Sequence, residues 1–157
     1  MNDKWEERPR TKVHPPLMLF LAVIAGFCMR AAYGGFLPVP RIAGEFLGTI
    51  FVVSATVIFQ MGVRTFAENA EELRPATPSR QLFTDGIYAY SRNPLYVAMI
   101  LLGSGLGFAT LNLWTVLATF LAGVLIHFLV ILPEEAYLDE RFGQEYEAYK
   151  KSVRRWV

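Results

Sequence analysis

The sequence predicts an all-α protein: an integral membrane helical bundle of about four transmembrane helices, followed by a cytoplasmic C-terminal amphipathic helical segment. Hydrophobic residues make up 54% of the 157 residues, and the mean hydropathy is +0.32. Both values are too high for an ordinary soluble domain of this length, which suffices for one domain. Four apolar stretches carry almost no charge, and apolar residues recur at helical spacing after the fourth.

Each of the four apolar stretches is predicted to cross the bilayer as a helix. The first reaches residue 33 because Arg30 can extend its charged end to the lipid headgroups. The short turn at 111–112 predicts that the last two spans form an antiparallel hairpin. The predicted single membrane domain, 1–157, comprises a polar tail at 1–14, spans at about 15–33, 46–63, 94–110 and 113–132, a cytoplasmic loop at 64–93, and a cytoplasmic C-terminal segment at 133–157.

Glycines four residues apart occur at the start of the second span and within the third. Small residues at this spacing allow helix backbones to approach closely inside a membrane. We therefore expect close helix–helix contacts at two pairs, Gly44 with Gly48 and Gly103 with Gly107.

The distribution of basic residues predicts the orientation in the membrane. With four spans, the N-terminus, the 64–93 loop and the C-terminal segment share one side and carry thirteen Lys and Arg residues. The opposite side carries only Arg30 and Arg41. Because basic residues are enriched on the cytoplasmic side, both termini and the active site are predicted to be cytoplasmic, in a bacterial inner membrane or the endoplasmic reticulum.

Composition also excludes several kinds of partner and site. A net charge of +1 gives no electrostatic footprint for nucleic acid. The single cysteine, Cys28, cannot form a disulfide framework, and we expect it to be a small buried hydrophobe. No metal site is predicted.

The first polar motif is Gly-Ile-Tyr-Ala-Tyr-Ser-Arg-Asn-Pro-Leu-Tyr at 86–96. Asn93 is a favoured helix N-cap and Pro94 suits the first helical position, so the third span is predicted to begin here. The free amides of a helix start, with Arg92 beside them, form a site suited to an anion. An alternative remains open, in which the tyrosines are interfacial anchors and Arg92 is only a cytoplasmic charge; these tyrosines are Tyr88, Tyr90 and Tyr96.

The second motif begins where the fourth span ends, with Pro133-Glu134-Glu135. Adjacent carboxylates at a membrane surface repel each other and require a cationic partner or a functional reason. His127 precedes Glu134 by seven residues, which places both on one face of an α-helix. A histidine at that depth is a functional candidate, and a hydrogen-bonded structural histidine is equally consistent with the sequence.

An amphipathic stripe follows the two glutamates, at spacings of three and four residues: Leu138, Phe142, Tyr146, Tyr149 and Val153. This pattern predicts a helical segment along the membrane surface, which Gly143 can divide into two short helices. Its basic residues are expected to face lipid headgroups; they are Lys150, Lys151, Arg154 and Arg155.

Together, the two motifs resemble the isoprenylcysteine carboxyl methyltransferase family, which in turn resembles the phospholipid N-methyltransferases. The resemblance covers roughly residues 65–156, although many members have His where Asn93 stands. It implies an integral membrane methyltransferase with S-adenosylmethionine bound between the third and fourth spans, under a lid from the C-terminal segment. The cofactor-site candidates that it implies are Gly86, Tyr88, Arg92, Asn93, Pro94, Tyr96, Glu134 and Glu135.

The chemistry of this cofactor suits the residue types. Its carboxylate suits Arg92 and the helix start, whereas its amine, sulfonium and ribose hydroxyls suit Glu134 and Glu135. A carboxylate or thiolate acceptor is already nucleophilic and needs no base. An amine acceptor would need a base to remove its proton, and Glu134 or His127 could act as that base. The catalytic candidates are thus Arg92, Glu134 and His127. The expected partners are membrane lipids and an amphipathic or lipidated acceptor: a prenylated cysteine, a lipid amine or a small thiol.

Two other functions remain open at the level of sequence. Membrane reductases of the sterol-reductase type share a similar Arg-x-Pro-x-Tyr hairpin and use a nicotinamide cofactor, but they are usually much longer. A non-catalytic membrane module of the same fold is the other alternative, and the intact set of polar residues argues against it.

Overall fold

A computed structural model of the protein describes residues 13–68 and 82–157, and this part of the chain is helical without a β-strand. A 3₁₀ turn at Gly86–Ala89 precedes α3, and a π turn at His127–Ile131 joins α4 to α5. The α-helices are α1 (Pro15–Tyr33), α2 (Arg41–Glu68), α3 (Pro94–Ala109), α4 (Leu113–Ile126), α5 (Leu132–Phe142) and α6 (Gln144–Ser152). The predicted all-α class is therefore confirmed. Most of the predicted tail and the middle of the predicted 64–93 loop lie outside the described residues.

Three helical stretches are long and apolar enough to cross a membrane: Pro15–Tyr33, Arg41–Ala67 and the continuous Leu113–Phe142. The fourth, Pro94–Ala109, is apolar but shorter, and its 16 residues span about 24 Å. Large apolar side chains cover the outer faces of the bundle, as a lipid environment requires. This is the architecture of an all-α membrane bundle, as predicted.

Two of the predictions for α1 and α2 differ from the structure. Helix α2 extends beyond the predicted 46–63 in both directions. Cys28 is exposed on the outer face of α1, contrary to the expected burial, because α1 contacts the bundle mainly along one narrow stripe.

The helices pack through small residues, with α1 against α4, α2 against α3, and α3 against α4. A Cβ atom added to Gly26 would lie 2.5 Å from the Cα atom of Thr115, which leaves no space for a side chain. A Cβ atom at Gly103 would lie 2.6 Å from Oγ1 of Thr119, and one at Gly48 would meet the backbone of α3. The predicted close approaches at Gly48 and Gly103 are confirmed.

The α3–α4 turn closes one end of the bundle. Leu111 has a positive φ of 50°, and Asn112 accepts a hydrogen bond from the backbone N–H of Thr115 at 3.3 Å. These contacts confirm the predicted hairpin. At the same end, Arg30 donates to the carbonyl of Thr110, so its guanidinium is held by the protein rather than extended to headgroups.

Both polar motifs lie at the opposite end of the bundle. The N-terminus of α3, the π turn and helix α5 all lie there, because α3 and α4 run antiparallel. Gly143, with a φ of +51°, separates α5 from α6 as predicted. The two short helices pack their apolar stripe into one cluster, formed by Leu82, Leu138, Phe142, Tyr146, Tyr149 and Val153.

The contact between Gly26 and Thr115 predicts a large effect of a single methyl group. We expect Gly26→Ala to lower the free energy of unfolding by about 1–3 kcal/mol, because α1 must move away from α4. Thermal unfolding in detergent measures this change. Ala25→Val, which adds bulk at the exposed neighbouring position, should leave the midpoint unchanged; equal effects of both variants would contradict the packing argument.

Candidate active site

Two arginines share one buried carboxylate at the polar end of the bundle. Nη1 of Arg92 lies 3.1 Å from Oε1 of Glu135. Arg155 binds both oxygens of Glu135, through Nε at 2.9 Å and Nη2 at 2.7 Å. The side chains of Arg92 and Glu135 are only 9% and 11% exposed, and that of Arg155 is 35% exposed. The sequence predicted that the adjacent glutamates need a cationic partner. Glu135 has two such partners, Arg92 and Arg155.

The segment after α6, residues 153–157, crosses the mouth of the bundle, and we refer to it as the C-terminal strap. The backbone N–H of Arg92 donates to the carbonyl of Arg154 at 3.0 Å. The Nδ2 amide of Asn93 donates to the carbonyl of Arg155 at 2.9 Å. The strap is thus hydrogen-bonded along the start of α3, as well as through the Arg155 side chain.

This arrangement corrects the prediction that the basic residues of the C-terminal segment face headgroups. Arg155 is turned inward to Glu135, and its hydrogen bond to that carboxylate raises the pKa of Arg155. Lys150 pairs with Asp139. Lys151 and Arg154 are exposed, and their contact with headgroups stays a prediction.

Helix α3 starts at the position that the sequence predicts, but its N-cap residue does not form the expected side-chain cap. Asn93 occupies the N-cap position and Pro94 the first turn, so the predicted helix boundary is confirmed. The side chain of Asn93 forms no capping hydrogen bond; its Nδ2 amide donates to the strap carbonyl of Arg155. The backbone N–H of Asn93 donates instead to Oγ of Ser91 at 3.1 Å.

The 3₁₀ turn before α3 is fixed to the C-terminal helices. Gly86 opens this turn with a φ of +59°, which favours glycine. Tyr88 is buried, and its carbonyl accepts a 2.7 Å hydrogen bond from the hydroxyl of Tyr149. Burial raises the pKa of Tyr88, so its phenol stays protonated near neutral pH. Tyr90, by contrast, is 75% exposed, in keeping with the interfacial alternative for that tyrosine.

The two adjacent glutamates have different partners. The hydroxyl of Tyr96 lies 3.0 Å from each oxygen of Glu134. Glu134 is half-buried, and within residues 13–68 and 82–157 it forms no ion pair. Glu134 therefore keeps acceptor capacity that the surrounding side chains do not use, whereas Glu135 is saturated by guanidinium groups.

His127 lies at the first position of the π turn, and the indole of Trp156 stacks on it with ring centroids 6.1 Å apart. Its Nδ1 atom is buried and has no hydrogen-bond partner in the described structure. The prediction that His127 and Glu134 share a face assumed a regular α-helix. The π turn lies between them and shifts that register, so their side chains have separate partners, Trp156 and Tyr96.

An apolar groove of about 490 Å³ lies between α1, α2 and α3. Ala98 and Met99 of its lining follow Tyr96 on α3 within one helical turn. The groove therefore starts beside the polar end and continues along the bundle to Leu106. The remaining lining residues are Pro16, Leu19, Phe20, Val23, Ala55, Thr56, Phe59 and Leu102.

Sequence reasoning missed three residues that complete the polar end. Tyr146 accepts from Nη1 of Arg92 at 3.3 Å, Arg155 binds Glu135, and Trp156 covers His127. The amphipathic stripe placed Tyr146 on the inner face of its helix, but that pattern gives no information about its partner. Nothing in the local sequence distinguishes Arg155 from its exposed neighbour Arg154.

The family model for phospholipid methyltransferases matches residues 41–145, which is more than half of the chain. The protein belongs to this family. The matched region contains the first polar motif, the adjacent glutamates of the second, and helices α2 to α5, but not the C-terminal strap.

Two relatives support the membership in this family. Protein-S-isoprenylcysteine O-methyltransferase of Schizosaccharomyces pombe is 40% identical over 72 residues, which is 46% of this chain and 30% of that protein. An uncharacterized protein of Haemophilus influenzae is 50% identical over 40 residues, 22% of this chain and 64% of that protein. The match thus spans less than two thirds of either relative. No solved structure matches the chain significantly.

The shared carboxylate predicts a strong dependence of stability on Glu135. We expect Glu135→Gln to lower the free energy of unfolding by about 3 kcal/mol, because two guanidinium groups then face each other without a counter-charge. Thermal unfolding in detergent measures the change, and Glu140→Gln, at an exposed position of the same helix, is the control. A variant as stable as the control would show that the cluster contributes little.

Proposed function

We propose that the protein is an integral membrane methyltransferase that transfers a methyl group from S-adenosylmethionine to a lipophilic or membrane-associated acceptor. The family membership supports the reaction class. The observation that carries the cofactor assignment is Arg92, whose guanidinium is nearly buried and whose Nε has no hydrogen-bond partner in the described structure. Glu134, at the same end of the bundle, is half-buried and forms no ion pair within the described residues.

The residues at the polar end fit the functional groups of this cofactor. Arg92 uses Nη1 for Glu135 and Tyr146, which leaves other N–H donors for a carboxylate. Glu134 has acceptor capacity for an amine or for ribose hydroxyls, and Tyr96 holds it in place. We assign Gly86, Tyr88, Asn93 and Pro94 to shaping the backbone around this site, and Glu135 to holding the arginines.

Bound S-adenosylmethionine supplies an electrophilic methyl group, which an in-line nucleophile displaces from sulfur. The protein then has mainly to align the two reactants, and such positioning can lower a barrier by about 7–11 kcal/mol. Glu134 and His127 are the groups able to take a proton from an amine acceptor; a carboxylate or thiolate acceptor needs neither. The Nδ1 atom of His127, which has no hydrogen-bond partner among the described residues, is consistent with this role.

The apolar groove supports an acceptor that carries a hydrocarbon chain. Its lining comes from α1, α2 and α3, and it starts within one turn of Tyr96. A chain lying in the groove would bring the polar end of the same molecule toward Tyr96 and Glu134. Prenylated cysteines and lipid amines both have this form, and a small thiol makes less use of the groove.

The distribution of basic residues supports a cytoplasmic location for both termini and for the site. That location gives the site access to a water-soluble cofactor. The family match gives no support to the nicotinamide-dependent reductase.

Calorimetric titration of S-adenosylhomocysteine into the detergent-purified protein tests the cofactor assignment. We expect saturable binding that Arg92→Gln weakens about tenfold or more, because charge-assisted hydrogen bonds to the ligand carboxylate are lost. This variant leaves the Glu135–Arg155 pair in place, so the protein should remain folded.

Arg64→Gln removes an exposed arginine from the same end of the bundle and should bind like the wild type. Failure of the folded wild-type protein to bind S-adenosylhomocysteine would overturn the proposed function. Unchanged binding in Arg92→Gln would overturn only the assignment of Arg92.

A further inference from the structure

We propose that Arg155 is a positioning residue of the cofactor site: by binding both oxygens of Glu135, it preserves positive charge on Arg92 for the carboxylate of the ligand. The inference rests on the proposed function, since it concerns how Arg92 recognises that carboxylate. It assigns a specific task to a residue of the C-terminal strap, which lies outside the region matched by the family model.

The charges of the cluster do not balance. Two guanidinium groups meet one carboxylate, so Arg92, Glu135 and Arg155 together carry one excess positive charge. The neighbouring acidic residues form no ion pair with either arginine in the described structure: Asp139 pairs with Lys150, and Glu134 is hydrogen-bonded to Tyr96. An excess charge in a largely buried cluster favours the binding of one anion.

The geometry shows which arginine neutralises Glu135. Arg155 contacts the two oxygens through Nε and Nη2, at 2.9 and 2.7 Å, which is the bidentate arrangement of a strong pair. Arg92 approaches Glu135 through Nη1, at 3.1 Å, and its Nε is buried without a hydrogen-bond partner in the described structure. Arg155 is therefore the main partner of the carboxylate. Arg92 retains N–H donors that Glu135 does not use.

Three further contacts hold Arg155 in this position. Its carbonyl accepts from Nδ2 of Asn93, and the carbonyl of the preceding Arg154 accepts from the backbone N–H of Arg92. On the other side, the ring of Trp156 stacks on His127. Because the strap backbone is fixed at both sides of Arg155, its guanidinium is directed to Glu135 with little loss of further conformational freedom.

Removal of the Arg155 side chain would leave Glu135 with Arg92 as its sole guanidinium partner. The remaining pair would be neutral, and the affinity for an anionic group would fall. The affinity for the rest of the ligand would be affected less. A residue that only stabilised the strap would instead change the binding of all ligands to a similar extent.

The test compares S-adenosylhomocysteine with its decarboxylated analogue, using calorimetry on the full chain in detergent. The measured quantity is the ratio of the two dissociation constants. We expect the wild-type protein to prefer the carboxylate-bearing ligand, and Arg155→Gln to reduce this preference by about fivefold. Glu135→Gln combined with Arg155→Gln should restore the preference, because Arg92 then has no competing carboxylate.

Arg155→His provides a second test. In this variant the side chain at position 155 is positively charged at low pH and neutral at high pH. The groups facing position 155 are Glu135 from α5, Arg92 from the start of α3, and Tyr146 from α6. We expect the ligand preference of this variant to be closer to that of the wild type at pH 5.5 than at pH 8, since an imidazolium replaces the guanidinium only at the lower pH. The wild type measured at both pH values is the reference.

Lys151→Gln, which removes an exposed charge from the same segment, should keep the wild-type preference. An unchanged preference in Arg155→Gln, or a preference in Arg155→His that does not change with pH relative to the wild type, would overturn the inference. Both results would leave the proposed function intact, because they require that S-adenosylhomocysteine binds. Absence of binding to the wild-type protein would instead overturn the proposed function itself.

Discussion

The polar end of this bundle depends on one carboxylate that lies between two guanidinium groups. Glu135 joins the start of α3, through Arg92, to the C-terminal strap, through Arg155. A largely buried charge is tolerated only when it is paired and hydrogen-bonded, so these three side chains must assemble together. The cluster connects segments that are far apart in the sequence, and the strap hydrogen bonds of Asn93 and Arg92 form beside it.

The rest of the bundle is assembled by a different kind of interaction. Between the helices, glycines lie directly against threonines and against backbone, as at Gly26 with Thr115 and Gly103 with Thr119. In a lipid environment apolar burial does not drive helices together, and close van der Waals packing takes its place. The bundle therefore has a tightly packed core of small residues and a polar end held by charge and hydrogen bonds.

The boundary between these two parts lies at Tyr96. Its ring packs against the cluster of Ile126, Val130 and Ile131, and its hydroxyl binds Glu134. The apolar groove begins within one turn of the same residue. The proposed reaction, between a water-soluble cofactor and a lipophilic acceptor, requires a polar site and an apolar site close to each other. Tyr96 belongs to the polar end, and Ala98 and Met99, which line the groove, follow it on α3.

The helices and the meeting of the two polar motifs at one end of the bundle followed from the sequence, because they depend on local properties of the chain. Apolar runs predict spans, Asn93-Pro94 predicts the start of α3, and the short 111–112 turn predicts that both polar motifs meet at one end. The family resemblance depended on the same two motifs, and the family match agrees with it. The individual roles of the site residues remain proposals.

Tertiary structure alone decided how the polar side chains are paired. Glu135 and Arg155 are twenty residues apart, and Arg155 differs from Arg154 only in the direction that the folded strap gives to each side chain. The π turn that begins at His127 was likewise not predicted, although Pro133 follows it and cannot donate a backbone hydrogen bond. Sequence periodicity describes one regular helix at a time, whereas ion pairs between distant segments depend on the three-dimensional path of the chain.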